Sequence, residues 1–213
     1  MPKLGMQPVR TTALIEAVIT EIGESGTMDV TVSQIARRAG MSSALAHHYF
    51  GSKNKMFVAA MRHILMAFGA EVRENLAGRT DARERLEIIV RTSFSELNMH
   101  PETVGAWLNF YVYAQKSDEV ARLLRIYHHR LRSNLLHELR QLAPERASVI
   151  AEGIASIIDG AYIRWVLRGD GEKPDRPEEI ALEYLEMNLA RQKLGQTKTM
   201  SVSDRGGPCP QWK

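Results

Sequence analysis

Apolar residues recur along most of this chain at intervals of three and four, the spacing that gathers them on one face of a helix. Leu14, Val18 and Ile22, with Ala17 beside them, form one such stripe, and Gly23-Glu24-Ser25-Gly26 is expected to end its helix. Thr31-Val32-Ser33-Gln34 has the form of a capping box, with Thr31 as the cap and Gln34 reaching back. The helix it opens is short: Ile35, Ala36 and Ala39 face inward and Gly40 ends it. Ser42 or Ser43 can cap a second short helix running through Tyr49. Gly51-Ser52 breaks that one, and Ser52 can cap a longer helix carrying Phe57, Met61, Ile64, Leu65 and Phe68.

The same period continues. One helix is expected from about Ala82 to Leu97, with Leu86, Ile89, Val90, Phe94 and Leu97 inward. Pro101 suits the first turn of the next, which carries Trp107, Phe110 and Tyr111. Asp118 begins a long helix with Leu124, Tyr127, Leu131, Leu135 and Leu139. Pro144-Glu145 opens another that reaches Arg168 and stops at Gly169-Asp170-Gly171, and the last spans about Pro177 to Lys193. No stretch alternates with period two and no internal repeat is visible. The expected fold is therefore all-α: an N-terminal head of three helices and a C-terminal helical body. The head is placed at residues 8–68 and the body at 69–195. Residues 196–213 are polar and Gly/Pro-containing, and are expected to be a disordered tail.

Composition changes this picture little. The 213 residues are 44% hydrophobic and 25% charged, ordinary for a soluble globular protein. No apolar run approaches the ~20 residues of a membrane span, and no apolar stretch follows the basic N-terminus MPKLGMQPVR, so neither a membrane anchor nor a secretory signal is expected. The single cysteine, Cys209, excludes an internal disulfide framework and a cysteine-based zinc site, and the cytoplasm is the simplest compartment. Charge says more. The formal net charge is only +3, yet Val30 to Ala70 holds Arg37, Arg38, Lys53, Lys55 and Arg62 and no acid. A basic head on a mildly acidic body suits a polyanion-binding segment; an uneven solvated surface is the plainer alternative.

Val32 to Tyr49 reads as two short helices joined by a tight turn at Gly40-Met41-Ser42, a helix-turn-helix. Ala36 must be small where the second helix crosses, and Gly40 supplies a positive φ that other residues resist. Ile35, Ala39, Met41, Ala46 and Tyr49 fall at inward positions, leaving Ala44, Leu45, His47 and His48 for the outer face. An apolar Leu45 at a helix start suits a thymine methyl in a major groove, and Ser43 offers a hydroxyl to a base edge or phosphate. His47, Tyr49 and Lys53 gather where a phosphate would lie, beside the next helix's N-terminus. Metal binding fits poorly, because neighbouring His47 and His48 point about 100° apart with no acid or cysteine nearby. Catalysis lacks a carboxylate to orient a base. No catalytic residue, metal or cofactor is assigned.

These residues carry a resemblance. Thr31-Val-Ser-Gln-Ile-Ala-Arg-Arg-Ala-Gly40, followed by Ser-Ala-Leu-Ala-His-His-Tyr-Phe-Gly-Ser-Lys53, resembles the DNA-binding head of TetR-type repressors, with His47 and His48 where an aromatic pair is usual. The resemblance implies that Lys53 contacts phosphate and that Leu45 lies among base-contacting positions. With Thr31, Ser33, Gln34 and Ser42, which open the two short helices, and Ser43, Ala44, His47 and Tyr49, they complete the candidate DNA-contacting set. The segments QIARRAGMSSALAHHYFGSKN, AWLNFYVYAQ and SIIDGAYIRWVLRG are further similar to a choline-responsive branch of that family controlling glycine betaine synthesis genes. The similarity reaches about Gln192 and is lost from Thr197 to Lys213.

The resemblance implies a homodimer reading a palindromic DNA operator, since one recognition helix reads too few base pairs. The last two helices suit the interface. Ile150, Ile154, Ile157 and Ile158 accompany the small residues Gly153, Ala155, Ser156 and Gly160, and the final helix is apolar on two faces. The resemblance also implies a choline effector. A quaternary ammonium has no N–H to donate, so aromatic faces and a carboxylate must hold it. Trp107, Phe110 and Tyr111 on one helix, and Asp159, Tyr162 and Trp165 on another, are the candidates. The same residues could be ordinary core, with Asp159 bonded to a helix end or to a tyrosine across a dimer. A TetR-type repressor with a lipophilic or other metabolite effector, and an all-helical enzyme, are the competing readings.

Overall fold

The computed structural model describes residues 6–167 and 176–203, the stretch 192–203 as backbone. Nine helices run through them in order: α1 (Met6–Ser25), α2 (Val32–Arg38), α3 (Ser43–Phe50), α4 (Lys53–Asn75), α5 (Ala82–Ser93), α6 (Pro101–Tyr113), α7 (Asp118–Leu142), α8 (Ala147–Leu167) and α9 (Pro177–Ser203). No strand occurs among the described residues, so the all-α expectation holds.

Local chemistry sets most of the helix starts. Thr31 and Gln34 form the full capping box on α2, Ser42 caps α3 through the Leu45 amide, and Ser52 caps α4 through the Lys55 amide. Asp81 and Ser117 cap α5 and α7 in the same way, and Pro101 opens α6. Each such cap is worth about 1 kcal/mol. Between α2 and α3, Gly40 sits at φ +66°, and the Met41 amide bonds back to the Ala36 carbonyl at 2.8 Å.

Several ends differ from the sequence reading. α1 ends at Ser25, inside the expected Gly23–Gly26 stop, but other ends move. α5 stops at Ser93, before Leu97, and α8 begins at Ala147, after a turn over Pro144–Arg146. α9 continues past Lys193 to Ser203; the rest of the expected tail, Cys209 and the Gly169-Asp170-Gly171 stop lie outside the described residues. The expected head–body boundary after Phe68 falls inside α4.

α2 packs on α1 and α3, and α1 and α3 pack on α4, burying Leu14, Val18, Ile22, Ile35, Ala46 and Phe57. Burial of each large apolar side chain contributes about 1.5–3 kcal/mol. The core continues without a break into the body, where α5, α7, α8 and α9 pack around Leu86, Leu135, Leu139, Ile150 and Leu185. The tightest link between head and body is α1 against α6. A Cβ added at Gly23 would lie 2.4 Å from the Glu102 backbone oxygen, and one added at Gly105 would lie 3.0 Å from the Gly23 oxygen. Backbone meets backbone there, so Gly23→Ala should lower stability by about 1–3 kcal/mol. A denaturant midpoint equal to that of the parent protein would refute this account of the crossing.

Candidate nucleic-acid interface and effector chamber

α3 is fixed from both ends. Ser42 caps its start, and the hydroxyls of Ser33 and Ser43 bond across the α2–α3 turn at 3.1 Å. Ala46 is fully buried, and Tyr49 packs partly against the core with its ring edge-on to His48, centroids 5.6 Å apart. Ala44, His47 and His48 are exposed, while Ser43 and Leu45 are half-buried. The outer face is therefore the one the spacing predicts, with Leu45 set deeper than an outward position would place it. Thr31 and Gln34 spend their side-chain groups on the cap: Gln34 Oε1 accepts from the Thr31 amide and hydroxyl, both at 2.7 Å. Lys53 begins α4 beside its Ser52 cap, and its Nζ lies 5.3 Å from the centre of the Phe57 ring. That cation–π contact holds the ammonium at the end of α3.

One charge does not act as the charge run suggests. Arg38 turns back onto α1, where its Nε donates to Glu21 at 2.7 Å and its other nitrogens pair with Glu24. Hydrogen bonding to Glu21 raises its pKa further, and the two ion pairs tie α2 to α1 within the head. The acids that pair with it lie just outside the acid-free stretch, which is why a window count misses them.

In the body, the aromatic candidates separate into two groups. Trp107, Tyr111, Asp159 and Tyr162 converge; Phe110 is wholly buried in the core, and Trp165 packs beside the core without reaching the chamber. The chamber lies between α4, α6, α7 and α8. Its aromatic walls are Phe68, Trp107, Tyr127 and Tyr162, and Ile64, Leu65 and Val104 are apolar. Trp107 stands edge-on to Tyr127 at 4.9 Å and to Tyr111 at 5.5 Å between centroids. The cavity measures about 20 Å³, room for roughly one water. Among the described residues, Trp107 Nε1 is the buried side-chain polar atom left without a partner.

Asp159 closes the group. The Tyr111 hydroxyl lies 2.9 Å from Asp159 Oδ1 and 3.0 Å from His128 Nε2. One phenol proton cannot serve both, so the hydroxyl donates to Asp159 and accepts from His128. Burial raises the Asp159 pKa, opposed by the Tyr111 hydrogen bond and by His128. Burial likewise raises Tyr111, Tyr127 and Tyr162, which keeps all three phenols neutral. Tyr162 donates to the Ser93 carbonyl.

Phe68, Tyr127 and His128 are the important residues that sequence reasoning passed over as site members. Phe68 and Tyr127 sit at inward positions of their helices, where an aromatic reads as core. The one hint was Tyr127 itself, a polar-tipped ring in a stripe otherwise made of Leu124, Leu131 and Leu135. Among the described residues, no group of three or more His, Cys, Asp or Glu could hold a metal ion, and no helix is long and apolar enough to cross a membrane.

Residues 14–60 match the tetR family of bacterial regulatory proteins, and residues 82–190 match the BetI-type transcriptional repressor C-terminal domain. The chain is 49% identical over 197 residues to the HTH-type transcriptional regulator BetI of Brucella anthropi, covering 91% of this chain and all of that one. It is 44% identical over 203 residues to BetI of Agrobacterium fabrum, covering 95% of this chain and 98% of that one. Among solved structures, a transcriptional regulator of Saccharomonospora viridis, in complex with choline, superposes with a TM-score of 0.75. It is 21% identical, over 84% of this chain and 96% of that one. The chain belongs to the TetR family of bacterial transcriptional repressors, with an N-terminal DNA-binding head and a BetI-type C-terminal domain.

Proposed function

We propose that the chain works in the cytoplasm as a homodimer, represses the genes converting choline to glycine betaine, and is released from its operator by choline or a related quaternary ammonium. The observation that carries the effector is the company of Asp159. A carboxylate half-buried in an apolar helix is costly without a cation. Its partner in this structure is a neutral phenol, and the Trp107, Tyr111 and Tyr127 rings gather beside it. Aromatic faces and one carboxylate suit a cation with no N–H to donate. The open Trp107 Nε1–H can in turn donate to a hydroxyl oxygen on the effector.

A cavity of about 20 Å³ is too small for such a molecule, so binding must push its walls outward. Ile64, Leu65 and Phe68 on α4 form one wall, and Lys53 at the other end of the same helix faces the DNA. The two ends are about 22 Å apart along the axis. On α6, Trp107 lies two residues, about half a turn, from the Gly23–Gly105 contact with α1. Displacement of either helix reaches the head (residues 8–68) through rigid elements, and the ligand's unequal affinity for the two states drives release. Isothermal calorimetry tests the assignment: heat with choline, and none with glycerol or a fatty acid, is the expected result. The aliphatic wall keeps one second reading in play, a lipophilic effector, and the fatty-acid titration decides it.

The dimer rests on the outer face of α8 and α9. Val149, Ser156, Ile163 and Leu167 share one face of α8 at helical spacing, and all are exposed. Ile180 and Met187 are exposed on α9 while Leu185 and Leu189 are buried on its other side. Two such pairs form a four-helix interface, which sets two α3 helices against one palindromic operator.

The interface assignments separate in a binding experiment. Lys53→Ala should weaken all duplexes alike and reduce the salt slope by about one counterion. Leu45→Ala should instead relax preference at one base position. Filter binding against a randomised operator reads both; a uniform loss for Leu45→Ala would remove it from the groove.

A further inference from the structure

The aromatic chamber is narrow, with Leu65, Phe68 and Thr103 half-buried at its edge. Val104, Trp107, Tyr127 and Tyr162 are each less than a tenth exposed, as are Ile64 and Asn98. An effector therefore needs a way in. A second and much larger cavity, about 300 Å³, lies against it between α1, α4, the α5–α6 connection and the start of α6. The two share a wall: Ile64, Asn98 and Thr103 line both. The outer cavity reaches the surface, since Glu16 and His100 are exposed and Leu97 at its rim is 54% exposed.

We infer that this outer basin is the entrance by which a cationic effector reaches the chamber, with Ile64 and Thr103 as its inner gate. The inference rests on the quaternary-ammonium reading above. Three features support it. The basin lining carries the carboxylates Glu16 and Glu102, the imidazoles His63 and His100, and no lysine or arginine, so with the imidazoles neutral it attracts cations. A third carboxylate, Glu71, lies just behind the wall, bonded to Asn98 at 2.9 Å. Asn98 is pinned by further bonds to the Thr92 carbonyl at 2.8 Å and the Ser95 hydroxyl at 2.9 Å, which leaves Ile64 and Thr103 as the movable part of the wall. Glu102, for its part, accepts from Thr20 of α1 at 2.7 Å, so the basin floor spans head and body. The competing route lies at the Tyr111 edge, where His128 is exposed.

An entrance residue lies on the path and not at its end. It changes association and dissociation together and leaves the equilibrium nearly untouched. The test is stopped-flow tryptophan fluorescence of the full-length dimer with choline chloride, paired with calorimetry. Leu97→Arg narrows the rim and repels a cation; it should slow both rates roughly tenfold with Kd within about twofold. Leu97→Glu is expected to speed both, and its opposite sign guards against a general folding defect. Glu16→Gln should lower the association rate about threefold and flatten its salt dependence. If the parent protein binds choline but the Leu97 pair leaves both rates unchanged, the entrance is wrong and the effector reading survives. Slowing by His128→Arg alone would move the entrance to the Tyr111 edge and likewise overturn it. If the parent protein gives no choline heat, the effector reading itself fails and the entrance falls with it.

Discussion

Asp159→Asn should leave operator binding intact while weakening choline by at least about 30-fold, or ~2 kcal/mol, the low end for losing one partner of a buried, hydrogen-bonded charge pair. Asparagine keeps the size of the side chain and an oxygen to accept from Tyr111, so the aromatic geometry is preserved and only the charge goes. Stability supplies the control. Folding raises the Asp159 pKa through burial, so the folded state holds that proton more tightly than the unfolded one. The ionised group therefore costs stability in full above its raised folded pKa, and this cost shrinks as pH falls through that value and vanishes below the unfolded pKa. Asp159→Asn should accordingly melt no lower than the parent protein at neutral pH. A variant with full choline affinity would remove Asp159 from the site.

The same linkage gives the pH dependence of the effector. Choline needs the ionised carboxylate, so its affinity should fall as pH drops through the raised Asp159 pKa. The fall should begin at a higher pH than for a surface aspartate, whose ordinary value is about 3.9. Calorimetric titrations across pH check this. Repeating them in His128→Asn assigns the effect to the carboxylate and not to the imidazole that donates to Tyr111.

The second large effect concerns assembly. Ile163→Glu places a charge on the exposed face of α8, where the side chain is already 48% exposed in the protomer, so the fold should tolerate it. Within a dimer interface the same charge is buried unpaired and association is lost. Two linked heads bind an operator more tightly than one by a factor of about 10²–10⁴, and operator affinity should fall by that order while the helical content stays the same. Sedimentation equilibrium and a duplex shift assay read the two quantities separately. A variant that remains dimeric with full operator affinity would mean that the pairing uses another face.

Much of this architecture is local in origin. Thr31, Ser42, Ser52, Asp81 and Ser117 cap helices through atoms three residues away, and the apolar stripe at Leu14, Val18 and Ile22 needs only helical periodicity to be read. Gly40 shows its role for the same reason, because a tight turn between two short helices requires a positive φ whatever surrounds it. The outer face of α3 follows once Ala46 is known to face inward.

Properties set by partners distant in the chain are a different matter. Whether an aromatic lines a cavity or fills the core depends on what the neighbouring helices leave empty, which is why Tyr127 and Phe68 join the chamber and Phe110 does not. Arg38 counted toward the basic head until α1 brought Glu21 and Glu24 to it. Asp159 was recognisable as a charge out of place, but its pairing with Tyr111, 48 residues away, and the basin behind Ile64 and Thr103 exist only after α4, α6, α7 and α8 have packed. Helix starts, the helix-turn-helix and the family were thus written in short-range sequence chemistry. The chamber, its approach and the wiring between head and body were decided by tertiary packing, because burial and long-range contact set both the space available and the charge that can occupy it.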